Sequence, residues 1–255
     1  MTEQQAHAPS ADDQLERAFA FMAKADMAGT TFDPSPFGTV VRSDEVPLRQ
    51  DSNYLLVDRT VATASDLARE VERLHLRAVF VRDEETGARL AGGFAAIGWK
   101  AHRGIVMALH RPPERAAYPS LVREVGEADL RSVRRRTLLG YPWSSPELAE
   151  QLLRWKILMS EQVDVHFFAV LVDGEAVAYA DLYLGDGVAQ IEDVFTVEEH
   201  RNHGYASAIV LRAIEEAQRE SAELIFLAAD ADDWPRLLYE RLGFDTIGGY
   251  AKFFA

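Results

Sequence analysis

Two turn signals in the second half of the chain limit its fold more than any other feature. Asp173-Gly174 and the segment Gly185 to Gly187 separate three runs in which apolar residues predominate. These runs cover residues 166–172, 176–184 and 189–197. Asp-Gly between such runs is typical of a tight hairpin, because glycine takes a positive φ without steric cost. We therefore predict three neighbouring antiparallel strands.

Strand and helix patterns also occupy the rest of the chain. Apolar residues recur at helical spacing near residues 12–27, 65–74, 87–99, 127–139, 146–160, 206–217 and 234–242. Shorter β-rich runs cover residues 39–42, 54–57, 78–82, 104–110, 121–125 and 224–228, followed by a terminal pair of strands; residues 30–38 read as a loop. Asp12 or Asp13 is the expected N-cap of the first helix. The order predicts an α/β chain of the α+β kind, with a mixed, mostly antiparallel sheet flanked by helices.

Composition excludes several classes of function. The 255 residues are 48% hydrophobic, and no apolar run approaches the roughly 18 to 20 residues of a membrane span. The chain begins with a polar stretch rather than a signal sequence, so we expect a soluble, cytoplasmic protein. Without cysteine there is no disulfide, thiolate nucleophile or cysteine-bound zinc. The net charge of −14 disfavours nucleic acid and membrane partners and fits a cationic small molecule better.

The chain divides near a stretch rich in proline. Residues 111–120 hold three prolines and little that could pack, so we predict a linker over 113–120. It would separate a domain over 36–112, preceded by a tail and helix over 1–35, from a domain over 121–255. The sequence does not decide between a monomer and a homodimer.

Two segments on either side of that linker look like copies of one unit. Residues 79–99 and 224–244 each contain a strand, a loop and a helix that ends on an aliphatic residue, glycine and an aromatic residue. Chance likeness is the alternative, because many strand-helix pairs end on glycine. The first copy has Phe94 where the second has Tyr239, and its strand-to-helix junctions lack glycine. If the first half is a copy, it has kept the packing and lost the site.

The junction between a strand and a helix at residues 199–208, EHRNHGYASA, is the strongest candidate for a binding site. A helix N-terminus leaves backbone N–H groups unpaired and carries about half a positive charge, so it can bind phosphate. Gly204 and the small residues after it would let a phosphate approach, and Arg201 adds a positive charge. No acidic residue lies between His200 and Glu215. On its own, one glycine before a helix is more often a plain turn.

Two motifs in this half resemble those of the GNAT superfamily of acetyl-CoA-dependent N-acetyltransferases. The family's hallmark, Gln/Arg-x-x-Gly-x-Gly/Ala, is matched by Arg201, Gly204 and Ala206. Its later segment, Leu-Tyr-Glu-x-Leu-Gly-Phe, is matched by residues 238–244. The resemblance covers about residues 121–255. It implies acetyl transfer to a primary amine by a chain of two tandem GNAT-like domains, the first degenerate, as in some members of the family.

The resemblance also implies where acetyl-CoA binds. Backbone amides from Asn202 to Ala206 would hold the pyrophosphate, and the thioester would lie where the fourth and fifth strands of the domain separate. Asp232 falls where the family often has asparagine near the pantetheine arm. The residues expected to contact acetyl-CoA are Phe195, Thr196, Val197, Arg201, Asn202, His203, Gly204, Tyr205, Ala206, Ser207 and Asp232. Neither a metal nor a covalent enzyme intermediate is expected.

The same resemblance suggests which groups move protons. An alkyl ammonium with a pKa near 10.4 is neutral in only about one molecule per thousand at pH 7, so a base is needed. Members of the family often use a carboxylate on the fourth strand, acting through water. Glu192 is our first choice and Asp193 the second, because neighbours on a strand face opposite sides. Tyr239 matches the family's usual acid for the leaving thiolate. The alternatives are that the carboxylates are merely solvated or hold the amine, and that Tyr239 only packs.

Other charged groups are expected to play lesser roles. His200 and His203 are too poorly spaced for a metal site, and the run Arg134 to Arg136 is expected to form a solvated helix face. Asp230, Asp232 and Asp233, together with Glu192 and Asp193, would make an acidic mouth suited to a cationic amine. The acceptor, a small-molecule or peptide amine, stays open. A module that binds acetyl-CoA without turnover is the competing interpretation.

Overall fold

A computed structural model describes residues 9–27, 29–114 and 119–255, and joins them through one 11-stranded sheet. Within these residues the α-helices are α1 (Ala11–Asp26), α2 (Ala64–Arg73), α3 (Glu84–Ala96), α4 (Glu127–Gly140), α5 (Pro146–Met159), α6 (Tyr205–Arg219) and α7 (Pro235–Arg241). The strands are β1 (Thr31–Ser35), β2 (Gly38–Arg42), β3 (Tyr54–Val57), β4 (Ala78–Val81), β5 (Lys100–Leu109), β6 (Val122–Val125), β7 (Asp164–Val172), β8 (Glu175–Gly185), β9 (Val188–Thr196), β10 (Leu224–Asp230) and β11 (Phe244–Phe254). None of the described helices is both long and apolar enough to cross a bilayer.

The sheet has the predicted mixed, mostly antiparallel character. Its strand order is β1-β2-β3-β4-β11-β5-β10-β9-β8-β7-β6. Only β3 with β4 and β9 with β10 are parallel neighbours; the other neighbours are antiparallel. The three strands that were predicted around the Asp-Gly signals, β7, β8 and β9, are antiparallel neighbours. The mixed α/β fold class is therefore confirmed.

The two halves of the chain exchange their last strands. β5, from the first half, pairs with β10 of the second half, and β11, from the second half, pairs with β4 of the first. β5 and β11 pair with each other at the centre of the sheet. The predicted domain boundaries at 35/36, 112/113 and 120/121 stay a prediction, and residues 115–118 of the predicted linker lie outside the described residues. The sheet itself is continuous across that linker.

Side-chain alternation divides the helices between the two faces of the sheet. Ile225 and Leu227 of β10 face the core beneath α6 and α7, whereas Leu224 and Phe226 pack with α1 and α5. Following this alternation across the strand pairs puts α2, α3, α6 and α7 on one face and α1, α4 and α5 on the other. The first face is called here the α6 face and the second the α1 face.

Two sequence predictions about strands were wrong. Residues 30–38, predicted as a loop, form most of the hairpin β1–β2. Pro34 lacks an N–H to donate, but it lies on an edge strand where that donor is not needed. The predicted terminal pair of strands is the single strand β11, whose register shifts between Thr246 and Gly248. A Cβ at Gly248 would lie 2.3 Å from the Leu15 side chain, so glycine here lets α1 approach the strand.

The caps of two helices also differ from expectation. Ser10 caps α1, and the side chain of Asp13 bonds back to Ser10, so Asp13 completes the cap without being the N-cap itself. α3 begins at Glu84 instead of Gly87, because the Asp83 side chain accepts from the Thr86 amide. The remaining helices start and end within a few residues of their predicted positions.

The two halves repeat one arrangement, as the sequence comparison suggested. A strand, a parallel neighbour and a helix recur as β3, β4 and α3 in the first half and as β9, β10 and α7 in the second. The helix before the second strand differs. Thr63 and Asp66 form a capping box that satisfies the N-terminus of α2, whereas no side chain caps α6. Phe94 is fully buried and stacks on Phe253 at 4.2 Å between ring centroids.

The strand exchange predicts that both halves unfold together. Met107 belongs to β5 but is fully buried in the core beneath α6, so Met107→Ala should lower the free energy of unfolding by about 2–5 kcal/mol. The transition, followed by circular dichroism and calorimetry in urea or heat, should move as a single step. Met27→Ala is the control, because the Met27 side chain is 50% exposed. Two separable transitions, only one of them shifted, would contradict the exchanged arrangement.

Candidate functional site

β9 and β10 separate in the middle of the sheet. They pair in parallel from Val188 with Leu224 to Ile191 with Leu227. Beyond this point β10 pairs only with β5, as far as Asp230, and β9 continues along β8 to Thr196. An opening between two parallel strands leaves edge N–H and C=O groups free for a ligand. Here it lies where the sequence predicted the thioester.

A bulge in β9 stands at the start of this opening. Glu192 lies opposite Asp181 and Phe195 opposite Tyr179, so two residues of β9 oppose one of β8. Asp193 takes a φ of 53°, in the left-handed region. The bulge breaks the alternation of side chains, and Glu192 and Asp193 line the same groove. The expectation that they face opposite sides was therefore wrong, because it assumed a regular strand.

A buried cluster of charges supports the bulge from the α1 face. Asp181 is fully buried, accepts a hydrogen bond from Lys156 at 2.8 Å and pairs with Arg134. The Lys156 ammonium also lies 2.5 Å from Asp193 and donates to the Tyr183 hydroxyl at 2.6 Å. Enclosure by the protein opposes ionisation of Asp193, but Lys156 and Arg134 outweigh it and lower the pKa of that carboxyl. Asp193 is thus held as a charged ion-pair partner.

The arginine run corrects a second expectation. Arg135 and Arg136 are exposed, as predicted, but Arg134 is 3% exposed and points into the protein. Its guanidinium lies over the rings of Phe167 and Tyr179, 5.0 and 5.3 Å from their centroids. A buried carboxylate is stable only with such a partner, and Asp181 supplies the matching charge.

Glu192 has the properties of a base that works near neutral pH. Burial, together with the negative charge of Asp193, raises the pKa of its carboxyl to about 7. The Gln190 side-chain amide donates to it at 3.3 Å. No lysine or arginine of the described residues lies within 4.0 Å of its carboxylate. Near pH 7 Glu192 is therefore present in both protonation states, whereas Asp193 stays ionised.

Tyr239 approaches the opening from the α6 face. It lies on α7, is 7% exposed and packs edge-on against Phe244, with 6.3 Å between ring centroids. Burial and the carboxylate of Glu192 both raise the pKa of the phenol. Its hydroxyl consequently stays protonated over the whole range in which Glu192 titrates. Tyr239 belongs to the core on the α6 face, and Glu192 lines the cavity on the α1 face.

The N-terminus of α6 presents a row of unpaired amides. Among the described residues, no backbone or side-chain acceptor receives the N–H groups of Asn202 through Ser207. Gly204 has a φ of 78°, no side chain caps the helix, and its first turn holds no acidic residue. A Cβ at Gly204 would meet nothing within 4 Å, so the space over the amides is open. The arrangement fits a phosphate or pyrophosphate.

The flanking residues that were predicted to contact acetyl-CoA have varied surroundings. Arg201 is exposed, with its Nε 3.4 Å from the Thr196 carbonyl oxygen. The Val197 amide donates to Val177 at 2.9 Å, so this donor is used within the sheet. Asp232 lies 3.5 Å from Arg103 and is 69% exposed. Phe195 packs against Tyr179 beside the groove.

The two histidines of the junction have structural surroundings. Nδ1 of His203 lies 2.8 Å from the Arg201 carbonyl oxygen, and its ring stacks on Tyr205. Neither His200 nor His203 belongs to a group of three or more side chains that could hold a metal, and the described part of the chain contains no such group. Asp230 ends β10, Asp232 and Asp233 follow it, and none of the three lines the groove that Glu192 and Asp193 line.

A cavity of about 90 Å³ on the α1 face escaped the sequence analysis. It lies between the two halves, beneath α1, with Glu192 at its β9 end. Its aromatic lining consists of Phe19, Tyr54, Phe80, Trp155, Tyr183 and Tyr250. The groove beside Asp193 shares lining residues with this cavity, including Glu192 and Trp155. No local signal could have found it, because its walls come from distant segments that only the fold brings together.

Comparison with known proteins agrees with these features. Residues 129–244 match the family model for the acetyltransferase (GNAT) family. No curated protein sequence matches the chain. Among solved structures, a GCN5-related N-acetyltransferase from Kribbella flavida is 17% identical, with 98% of this chain and 96% of that chain covered and a TM-score of 0.59. A functionally unknown conserved protein from Staphylococcus epidermidis ATCC 12228 is 14% identical, with 88% and 93% covered and a TM-score of 0.66.

A third structure bears on the duplication. A tandem GNAT protein from the clavulanic acid biosynthesis pathway is 17% identical, with 97% of this chain and 96% of that chain covered and a TM-score of 0.54. At such identities the likeness concerns the fold alone. Residues 129–244 therefore match the GNAT acetyltransferase family model, and the chain shares its fold with a tandem GNAT protein.

Proposed function

We propose that the protein transfers an acetyl group from acetyl-CoA to a primary amine. One observation carries the proposal: β9 and β10 separate beyond Ile191 and Leu227, which leaves an opening between them. The bare end of α6 and Tyr239 belong to one face, and Glu192 and the cavity beneath α1 belong to the other. A thioester and an amine can therefore meet in the opening without sharing an entrance.

The unpaired amides from Asn202 to Ser207 are the proposed seat of the CoA pyrophosphate. They offer donors that need no rearrangement, and the absence of acidic residues in the first turn keeps the local field favourable to an anion. Arg201 is proposed to add its charge from the exposed side. Phe195, Thr196, Val197 and Asp232 are proposed to line the path from the pyrophosphate to the opening.

Glu192 is proposed to take the proton that the acceptor amine must lose. The amine nitrogen attacks the thioester carbonyl, so that the N–C bond forms and the C–S bond breaks. The ammonium first gives one proton to Glu192, directly or through one water. After the attack the CoA thiolate takes a proton from Tyr239, and the second proton of the nitrogen restores Tyr239, so that one proton is released per turnover. The pKa of about 7 suits Glu192 to this role. Asp193 is not suited to it, because the ion pair with Lys156 holds the Asp193 carboxylate in its charged form.

A module that binds acetyl-CoA without turnover remains the alternative function. The raised pKa of Glu192 favours the enzyme, because such a carboxyl serves a proton transfer better than it serves ligand binding alone. Release of free thiol from acetyl-CoA in the presence of a panel of primary amines separates the two functions. Thiol release that depends on the amine supports the enzyme, and binding without any release supports the module.

Gly204→Glu should weaken acetyl-CoA binding at least about tenfold, because the new carboxylate would stand over the unpaired amides and repel the phosphates. Calorimetric titration with acetyl-CoA measures the change. Gly174→Glu is the matched control: Gly174 also has a positive φ, 84°, and open space around its Cβ position, but it lies in the β7–β8 turn. If the two variants bind acetyl-CoA with equal affinity, the pyrophosphate does not bind at the N-terminus of α6.

Glu192→Gln should lower kcat/KM about 10²- to 10⁴-fold and abolish one limb of the pH profile. Because the base acts only when ionised, wild-type kcat/KM should fall about tenfold per pH unit below a pH of about 7 and level off above it. Asp193→Asn, the neighbouring isosteric change, should keep that limb but move it to lower pH, because the charge of Asp193 helps to raise the pKa of Glu192. A Glu192→Gln variant that retains the limb would assign it to another group.

Tyr239→Phe should lower kcat while leaving KM for acetyl-CoA nearly unchanged, because the hydroxyl is proposed to act on the leaving thiolate and not on the bound ground state. Steady-state kinetics with a saturating amine gives both constants. The ring is retained, so its packing against Phe244 should survive the change. An unchanged kcat would show that Tyr239 does not act as the acid and contributes only packing.

A further inference from the structure

The charges around the cavity beneath α1 are balanced but unevenly paired. Three carboxylates and three cations line it: Asp26, Asp51, Glu192, Arg49, Arg82 and Lys252. Asp26 pairs with Arg49 at 3.1 Å, and Asp51 pairs with Lys252. Within the described residues, no carboxylate lies within 4.0 Å of the Arg82 guanidinium, and no cation lies that close to Glu192. One positive and one negative group therefore remain for a ligand.

Three buried polar atoms of the lining residues lack hydrogen-bond partners among the described residues. These atoms are Nε of Arg82, Nε1 of Trp155 and Oε1 of Gln190. Trp155 and Gln190 are 6% and 4% exposed, so water at the protein surface does not satisfy them. An unsatisfied buried donor or acceptor destabilises the protein, and a ligand that pairs with it removes that penalty. The Arg82 donor suits an anion, and the Gln190 acceptor beside Glu192 suits an ammonium.

Arg82 and Glu192 lie at opposite ends of the cavity. Arg82 follows β4 and Glu192 lies on β9, and the order β4-β11-β5-β10-β9 puts four strand spacings, about 19 Å, between the two strands. Both side chains belong to the α1 face, with Phe80 and Gln190 two residues before them. The side chains shorten this gap from both ends, and a ligand that meets both must be elongated.

The surface between these ends is largely aromatic. The Arg82 guanidinium lies 5.4 Å from the ring centroid of Phe19, and Phe19 packs edge-on against Phe80 and Tyr250. Phe80 and Tyr250 pack against each other at 5.2 Å. The middle of a matching ligand is therefore apolar, because the two ion pairs already satisfy the charges beside it.

We infer that the acceptor is an elongated amino carboxylate, with the reacting primary amine at Glu192, an apolar middle and a carboxylate at Arg82. This inference rests on the proposed acetyl transfer and names its substrate class. A single unpaired guanidinium matches one negative charge, which favours a carboxylate over a phosphate dianion. A polyamine would bring a second ammonium group against the unpaired Arg82 guanidinium, so a carboxylate suits that end of the cavity better.

Three probes of equal length test the inference: 6-aminohexanoate, hexylamine and 1,6-diaminohexane. Calorimetric titration into the protein saturated with CoA should give a Kd for 6-aminohexanoate about ten- to hundredfold below that of hexylamine, with the diamine weakest. Glycine, whose amine and carboxylate share one carbon, should bind at least about tenfold more weakly than 6-aminohexanoate.

The Arg82→Met variant tests whether Arg82 binds the carboxylate of 6-aminohexanoate. The variant should raise the Kd of 6-aminohexanoate to that of hexylamine and leave the Kd of hexylamine unchanged. Arg59→Met is the control, because the Arg59 side chain is 85% exposed and outside the cavity. Both variants should keep the wild-type affinity for acetyl-CoA, which shows that they are folded.

Equal or absent binding of the three probes, or an Arg82→Met variant that weakens 6-aminohexanoate and hexylamine alike, overturns the inference. Thiol release from acetyl-CoA with a broad amine panel reports separately on the proposed function. Turnover without preference for the carboxylate defeats the substrate class and leaves acetyl transfer standing. A calorimetric preference without any turnover supports the ligand class and defeats the transfer.

Discussion

The ion pair between Lys156 and Asp193 holds β9 two residues beyond Ile191, the last residue that pairs with β10. Asp193 takes a positive φ there, which a non-glycine residue adopts only when its surroundings favour it. Lys156 is itself fixed by the fully buried Asp181, which also pairs with Arg134. The same bulge turns Glu192 and Asp193 to one side and gives them different proton affinities. The bulge thus lies beside the opening and brings the base next to the charge that, together with burial, raises its pKa.

The two halves of the chain are joined because each contributes a strand to the sheet of the other. β5 and β11 cross at the centre of the sheet, and α1 packs over β11 where Gly248 leaves room for Leu15. In the first half, Thr63 and Asp66 cap the N-terminus of α2, and Phe94 occupies the position that Tyr239 has in the second half. We propose that it now serves the second half as the far wall of the acceptor cavity, to which it contributes Phe80 and Arg82.

Local patterns in the sequence predicted most elements of this fold. Periodicity and turn residues act over a few neighbours, so the meander β7–β9 and the junction at Gly204 could be recognised directly. Prolines misled the prediction at β1, because an edge strand tolerates them. The glycines of β11 had a packing role instead of ending a strand.

The candidate site was only partly accessible to the same reasoning. The tyrosine, the carboxylates and the junction could be named from motifs, but not the bulge that puts Glu192 and Asp193 on one side. Arg134 was predicted to be exposed, because the sequence of a helix does not reveal that Asp181 lies beneath it. The strand exchange and the cavity depend on contacts between residues far apart in the chain, which no local pattern encodes.

A crystal structure of the protein with CoA tests the central claim most directly. The account predicts pyrophosphate oxygens about 2.7–3.2 Å from amide nitrogens between Asn202 and Ser207, with the thiol sulfur in the opening between β9 and β10 on the side of Tyr239. The cavity beneath α1 should stay free of CoA. A pyrophosphate bound elsewhere, or a sulfur that lies outside the opening, would contradict the account.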